Sequence, residues 1–67
     1  MGLIPEAGEI YESPKFDRYI SVLAIDKEDS SGYTLAILWV DKKTNQTEPG
    51  DLVVTHGDVD QWRQVNV

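Results

Sequence analysis

An all-β fold, a small antiparallel barrel of five short strands, is what this 67-residue sequence predicts, and three features carry the prediction. Its apolar runs have strand length and are rich in β-branched and aromatic residues. Gly, Pro and short polar clusters punctuate them at close intervals. One run, Tyr33 to Asp41, is apolar on both alternating faces, with Tyr33, Leu35, Ile37 and Trp39 on one side and Ala36, Leu38 and Val40 on the other. Such a strand belongs at the centre of the fold, covered on both sides.

Residues 1 to 8 hold Leu3, Ile4, Pro5 and Gly8 and read as an extended arm ending in a turn, placed to lie over an apolar patch. The rest, residues 9 to 67, reads as a single domain. Glu9 to Glu12 alternates polar and apolar residues as a first strand, which Ser13-Pro14 ends because proline cannot donate to a ladder. Arg18 to Asp26 forms a second strand, and the polar stretch Lys27 to Gly32 forms a hairpin loop into the central one. Asp41 to Glu48 is a second polar connection, with Pro49-Gly50 at the two central positions of a type II turn. A fourth strand then spans Asp51 to His56 and a fifth Gln61 to Val67. Between them Gly57 to Asp60 forms one 3₁₀ turn that tucks Val59 inward.

Five strands in a meander with a single 3₁₀ turn before the last resemble the layout of SH3-like small barrels over residues 8 to 67. The residues with which SH3 domains grip proline-rich peptides are not present, so the resemblance implies the fold and not that recognition. Closure is favoured over an open sheet because it removes the edges that a sheet this small would otherwise expose.

Size and composition bound the function. A domain of this length buries only about 60% of the surface its unfolded chain exposes. It has no cysteine and a single histidine, so packing alone holds it and neither a disulfide nor a thiolate metal site is open to it. Twelve acidic against six basic residues give a net charge of −6, the wrong sign for direct binding to nucleic acid or to an anionic membrane surface. The field favours a basic protein partner. No stretch approaches a membrane span and no secretory signal is evident, which reads as a cytoplasmic protein.

No catalytic signature is found, neither a nucleophile elbow nor a glycine-rich phosphate loop, and no cofactor is implied. His56, Asp58 and Asp60 have a spacing that metals use, but beside Gly57 the aspartates read as local caps; Asp26, Glu28 and Asp29 depart from the calcium-loop pattern and read as a solvated hairpin tip. The aromatic residues are the most informative set. One small interior cannot take both faces of the central strand together with Leu23, Ile25, Val53 and Val54, so some apolar surface must meet the arm or another protein. The expectation is a non-enzymatic interaction domain that binds a protein, or a second copy of itself, through a patch including Tyr11, Tyr33, Trp39 and Trp62, rimmed by Asp26, Glu28, Asp29 and Asp41. Two alternatives stand beside it: a phage- or plasmid-encoded inhibitor, anti-defence or immunity protein, that covers a basic nucleic-acid-binding site, and an oligomeric enzyme or accessory subunit. Tyr11, Tyr33 and Trp62 are also the set from which a methyl-lysine cage of the Tudor type would be built.

Overall fold

The computed structural model describes residues 3–66; Met1 and Gly2 of the expected arm and Val67 of the expected fifth strand lie outside the described residues. The chain is all-β with one short helix. Its strands are β1 (Ile10–Glu12), β2 (Arg18–Glu28), β3 (Gly32–Asp41), β4 (Thr47–Thr55) and β5 (Arg63–Gln64), with α1 (His56–Asp60) between the last two. They form one antiparallel sheet in the order β4-β3-β2-β1-β5. The strand expected at Tyr33 to Asp41 is β3, but it stands second in the order, between β4 and β2, and among the described residues is covered on one side only, where it was expected at the centre and covered on both.

This order dictates the curvature. β4 and β5 lie four strand spacings apart, about 19 Å if the sheet were flat. Yet only the residues between Thr55 and Arg63 join them, and the five-residue helix among these rises only about 7 Å. The sheet therefore bends around a shared interior. β1 to β4, α1 and the residue after it contribute to it: Tyr11, Ile20, Val22, Tyr33, Leu35, Ile37, Val54, Val59 and Trp62 form one buried cluster, with Leu3, Phe16, Trp39 and Leu52 packed against it. The sheet bends without closing, and β4 and β5 remain its two edges.

Four further expectations are corrected. Pro49-Gly50 is not a turn but the middle of β4. The reversal occurs at 42–45, where the Asp41 carboxylate accepts the N–H groups of Lys43 and Thr44 at 2.8 and 2.9 Å and Asn45 takes the left-handed conformation at φ 61°. Gly50 lies close under an aromatic ring, since a Cβ there would stand 3.0 Å from Trp39 Nε1 and the indole would have to give by a few tenths of an ångström.

The single 3₁₀ turn is a short α-helix that begins one residue earlier, with His56 as its first residue and not the last of a strand. Thr55 caps it: its hydroxyl accepts the Asp58 N–H at 3.1 Å while the Asp58 carboxylate accepts the Thr55 N–H at 3.2 Å. Its exit does tighten to 3₁₀ geometry, with Gln61 N–H and Trp62 N–H donating three residues back, and Val59 is fully buried as expected. The third correction concerns the fifth strand, which is only Arg63–Gln64, since the Trp62 side chain turns into the core. The fourth is the β2-β3 loop, shortened because β2 runs on to Glu28 and Asp29 caps a tight turn to Gly32.

The arm packs on the inner side. Leu3 joins the core and Pro5 is buried, Glu6 N–H donates to Tyr11 Oη at 2.9 Å, and Gly8 N–H donates to Val22 O at 2.8 Å; Ile4 points to solvent at 66% exposure. Among the described residues no helix is long and apolar enough to cross a membrane.

Candidate interaction surface

Register separates the two faces of the meander. Directly opposed residues share a face, so Tyr33, Leu35 and Ile37 define the inner side together with their partners Val54, Leu52 and Val22. The other side is the outer face. On it lie Val40 with Tyr19, Leu38 with Ser21 and Pro49, Ala36 with Ala24 and Asp51, and Thr34 with Lys27 and Val53, and Ser21 adds Ile10 of β1. Its β3 residues are half-buried by their neighbours within the sheet, whereas Ala24 and Val53 are exposed, Val53 at 77%. The arm lies elsewhere, so among the described residues no second layer covers this face.

The aromatics expected at a surface patch are mostly inside the fold. Tyr11, Tyr33 and Trp62 are buried in the core. Tyr11 and Trp62 have ring centroids 5.6 Å apart, and burial of Tyr11, with the nearby charges of Glu6 and Glu9 adding to it, holds its hydroxyl above the ordinary tyrosine range. Tyr33 packs edge-on to His56 at 4.9 Å and is likewise raised, first by burial and then by the charges of Glu28 and Asp60.

Trp39 is half-buried at the far end of β3, six residues from Tyr33 or about 20 Å along a strand. Phe16 meets its ring at 5.0 Å and the Arg18 guanidinium lies 4.6 Å from its centroid while binding Glu48 at 3.1 Å, so a cation from within the chain already occupies the indole.

The four acids divide in the same way. Asp26, Glu28 and Asp29 stand exposed at the β2-β3 tip, and Asp41 is half-buried at the opposite end of β3. Asp29 and Asp41 work as turn caps. The Ser31 hydroxyl and the Ser31 and Gly32 N–H groups hold the Asp29 carboxyl below its usual range, and the Thr44 and Lys43 N–H groups do the same for Asp41. Asp26 occupies one of two β2 irregularities, between Ile25 and Lys27.

One open cleft, of about 510 Å³, is lined by Glu12, Phe16, Lys42 and Arg63 among others. Its charges satisfy one another, with Glu12 accepting from Lys42 at 2.7 Å and from Arg63 at 2.6 Å. The described residues hold no grouping of His, Cys, Asp or Glu able to bind a metal ion.

The outer face was partly visible in sequence as Ala36, Leu38 and Val40. Its continuation was hidden because the irregularities at Leu23 and Asp26 shift the alternation of β2, and because Pro49 belongs to a strand. Compared with protein-family models, with curated proteins and with solved structures, the chain has no match.

Proposed function

We propose that this chain is a protein-interaction domain that docks the outer face of its β2-β3-β4 meander on a partner whose apolar surface is ringed by basic residues. The uncovered apolar face carries the reading: Ile10, Ala24, Ala36, Leu38, Val40 and Val53 share one side of the sheet, and in a chain this small that is a large area to leave in water. Asp51 on this face and the tip acids Asp26 and Asp29 form the rim, while Glu28 opposes Tyr33 on the inner side. Charge supports it. Among the described residues ion pairs engage three of the twelve carboxylates, Glu12, Glu48 and Asp58, and the other nine set the surface field. The same surplus favours, as a second reading, an inhibitor that covers a basic nucleic-acid-binding site. The strand order and the single helical turn before β5 support the SH3-like layout, with a bent sheet in place of a closed barrel.

The experiment is capture on the immobilised chain at low and high salt, repeated with Val53→Glu and Ala24→Glu. Both positions are exposed, so the variants should fold as the parent does. The expected result is a protein retained at low salt by the parent and lost by both variants. Retention of that protein by both variants would show that the outer face is not the surface used.

A further inference from the structure

The outer face ends at β4, and the ladder fixes which backbone groups of β4 face outward. Asp41 N–H donates to Gln46 O at 2.9 Å and His56 N–H to Ser31 O at 3.2 Å, one at each end of an uninterrupted β3-β4 register. Hydrogen-bonded and non-bonded pairs alternate in such a ladder. Leu52 and Val54 are therefore bonded to β3, while Thr47, Pro49, Asp51, Val53 and Thr55 turn their groups away from it. Pro49 has no N–H to offer, a placement suited to an edge. Thr55 N–H is committed to Asp58 Oδ2 at 3.2 Å. Between these two stops, Asp51 and Val53 are left with donors and acceptors directed outward.

The other long unpaired stretch of strand is guarded. β2 extends beyond β1 from Leu23 to Glu28, and that stretch carries two irregularities and Lys27, devices that discourage edge pairing. β4 from Gly50 to Thr55 has neither. Its two outward residues also place their side chains on the outer face, Val53 at 77% exposure and Asp51 making no ion pair among the described residues. No Lys or Arg occurs from Thr44 to Trp62, although Glu48, Asp51, Asp58 and Asp60 do.

We propose that the β4 edge at Asp51 and Val53 accepts an extended segment of a partner protein as a sixth strand, with an apolar residue opposite Val53 and a basic residue opposite Asp51. This rests on the interaction reading above and names how the partner engages it. Four backbone hydrogen bonds form, two at each residue, and in the antiparallel arrangement the segment reads apolar-x-basic from N- to C-terminus. Charge selects this occupant over a second copy of the chain, because two copies would bring together two net charges of −6.

The test uses the full chain and a capped hexapeptide that alternates threonine with, in order, valine, lysine and valine. In the free chain the amides of Asp51 and Val53 should exchange with solvent at nearly unprotected rates while those of Leu52 and Val54 are protected. Saturating peptide should slow the first two by about tenfold or more, and replacing its lysine with glutamate should weaken binding by about tenfold at low salt and less at high salt. Val53→Thr should keep most of the binding. Val53→Pro, which removes the outward N–H, should lose it, and Val53→Lys provides a second edge-blocking variant if the proline variant does not fold.

Slow exchange of both amides in the dilute free chain, protection that grows with the chain's own concentration, or equal binding of the two peptides overturns the proposal. If Ala24→Glu loses a captured protein that Val53→Pro and Val53→Lys retain, strand addition fails and the interaction reading stands. If all three retain it, both fail.

Discussion

Gly32 is held in place by a contact. A Cβ there would lie 1.9 Å from Val54 O and 2.7 Å from Thr55 Cα, both backbone atoms that cannot move aside without opening the β3-β4 ladder. Gly32→Ala should therefore cost on the order of 3 kcal/mol, a large share of the roughly 3–10 kcal/mol that a chain of this length possesses. A urea midpoint close to the parent's would refute this. Trp62→Ala should cost about 3–5 kcal/mol, because the side chain is buried against Tyr11 and its removal leaves a cavity between α1 and the sheet. Parallel denaturant titrations of Trp62→Ala and Trp39→Ala check it, the loss at half-buried Trp39 being smaller. A glycine ending the polar run before β3 was legible in the sequence, but its reason was not, since Val54 is 22 residues away and only the folded register brings its carbonyl there. Aromatic burial was equally unreadable: composition shows six large rings, and topology decides which of them converge.

Turn chemistry explains what was and was not readable among the elements. The existence and antiparallel pairing of β2 and β3 followed from their β-branched runs, and Val59 was correctly placed inward. The second reversal was misplaced because Pro49-Gly50 is the more familiar signal, whereas Asp41 and Asn45 supply the capping carboxylate and the left-handed residue that the turn uses. With φ at 61°, Asn45→Ala should cost about 1 kcal/mol because a Cβ is disfavoured in the left-handed region, while Asn45→Gly should be neutral or slightly stabilising. Melting temperatures of the two variants check the order; equal values would mean that the turn readjusts. The capping box offers a parallel measurement: Thr55→Ala should cost about 1 kcal/mol by leaving the Asp58 N–H without its acceptor.

At the scale of the molecule, acid pH tests how the sheet's β5 end is tied down. Glu12, Asp29, Asp41 and Asp58 all sit below their ordinary range, Glu12 chiefly through its hydrogen bond to Lys42 and then that to Arg63, and Asp58 chiefly through Lys15. A carboxyl depressed in the folded chain contributes stability that is fully present above its unfolded value, about 4, and is lost as pH falls through the folded value. The melting temperature should therefore hold from neutral pH down to about pH 5 and fall steeply below about pH 4. Tyr11 and Tyr33, raised by burial, make the opposite limb: their contribution is complete below about pH 10 and is lost above it.

Glu12 is the distinctive member of the acid set, because its two oxygens join β1 to Arg63 of β5 and to Lys42 of the β3-β4 turn. β5 otherwise rests on a two-residue ladder, the bond from Val65 N–H to Ile10 O at 2.8 Å and that from Gln64 Nε2 to Glu9 Oε2 at 2.7 Å. Glu12→Gln should flatten part of the acid limb and, at neutral pH, lower the exchange protection of the Val65 amide while leaving that of Leu35 unchanged. Equal losses at Val65 and Leu35 would show that β5 opens only with the whole sheet, and a melting temperature that stays flat to pH 3 would show that these ion pairs do not hold the fold.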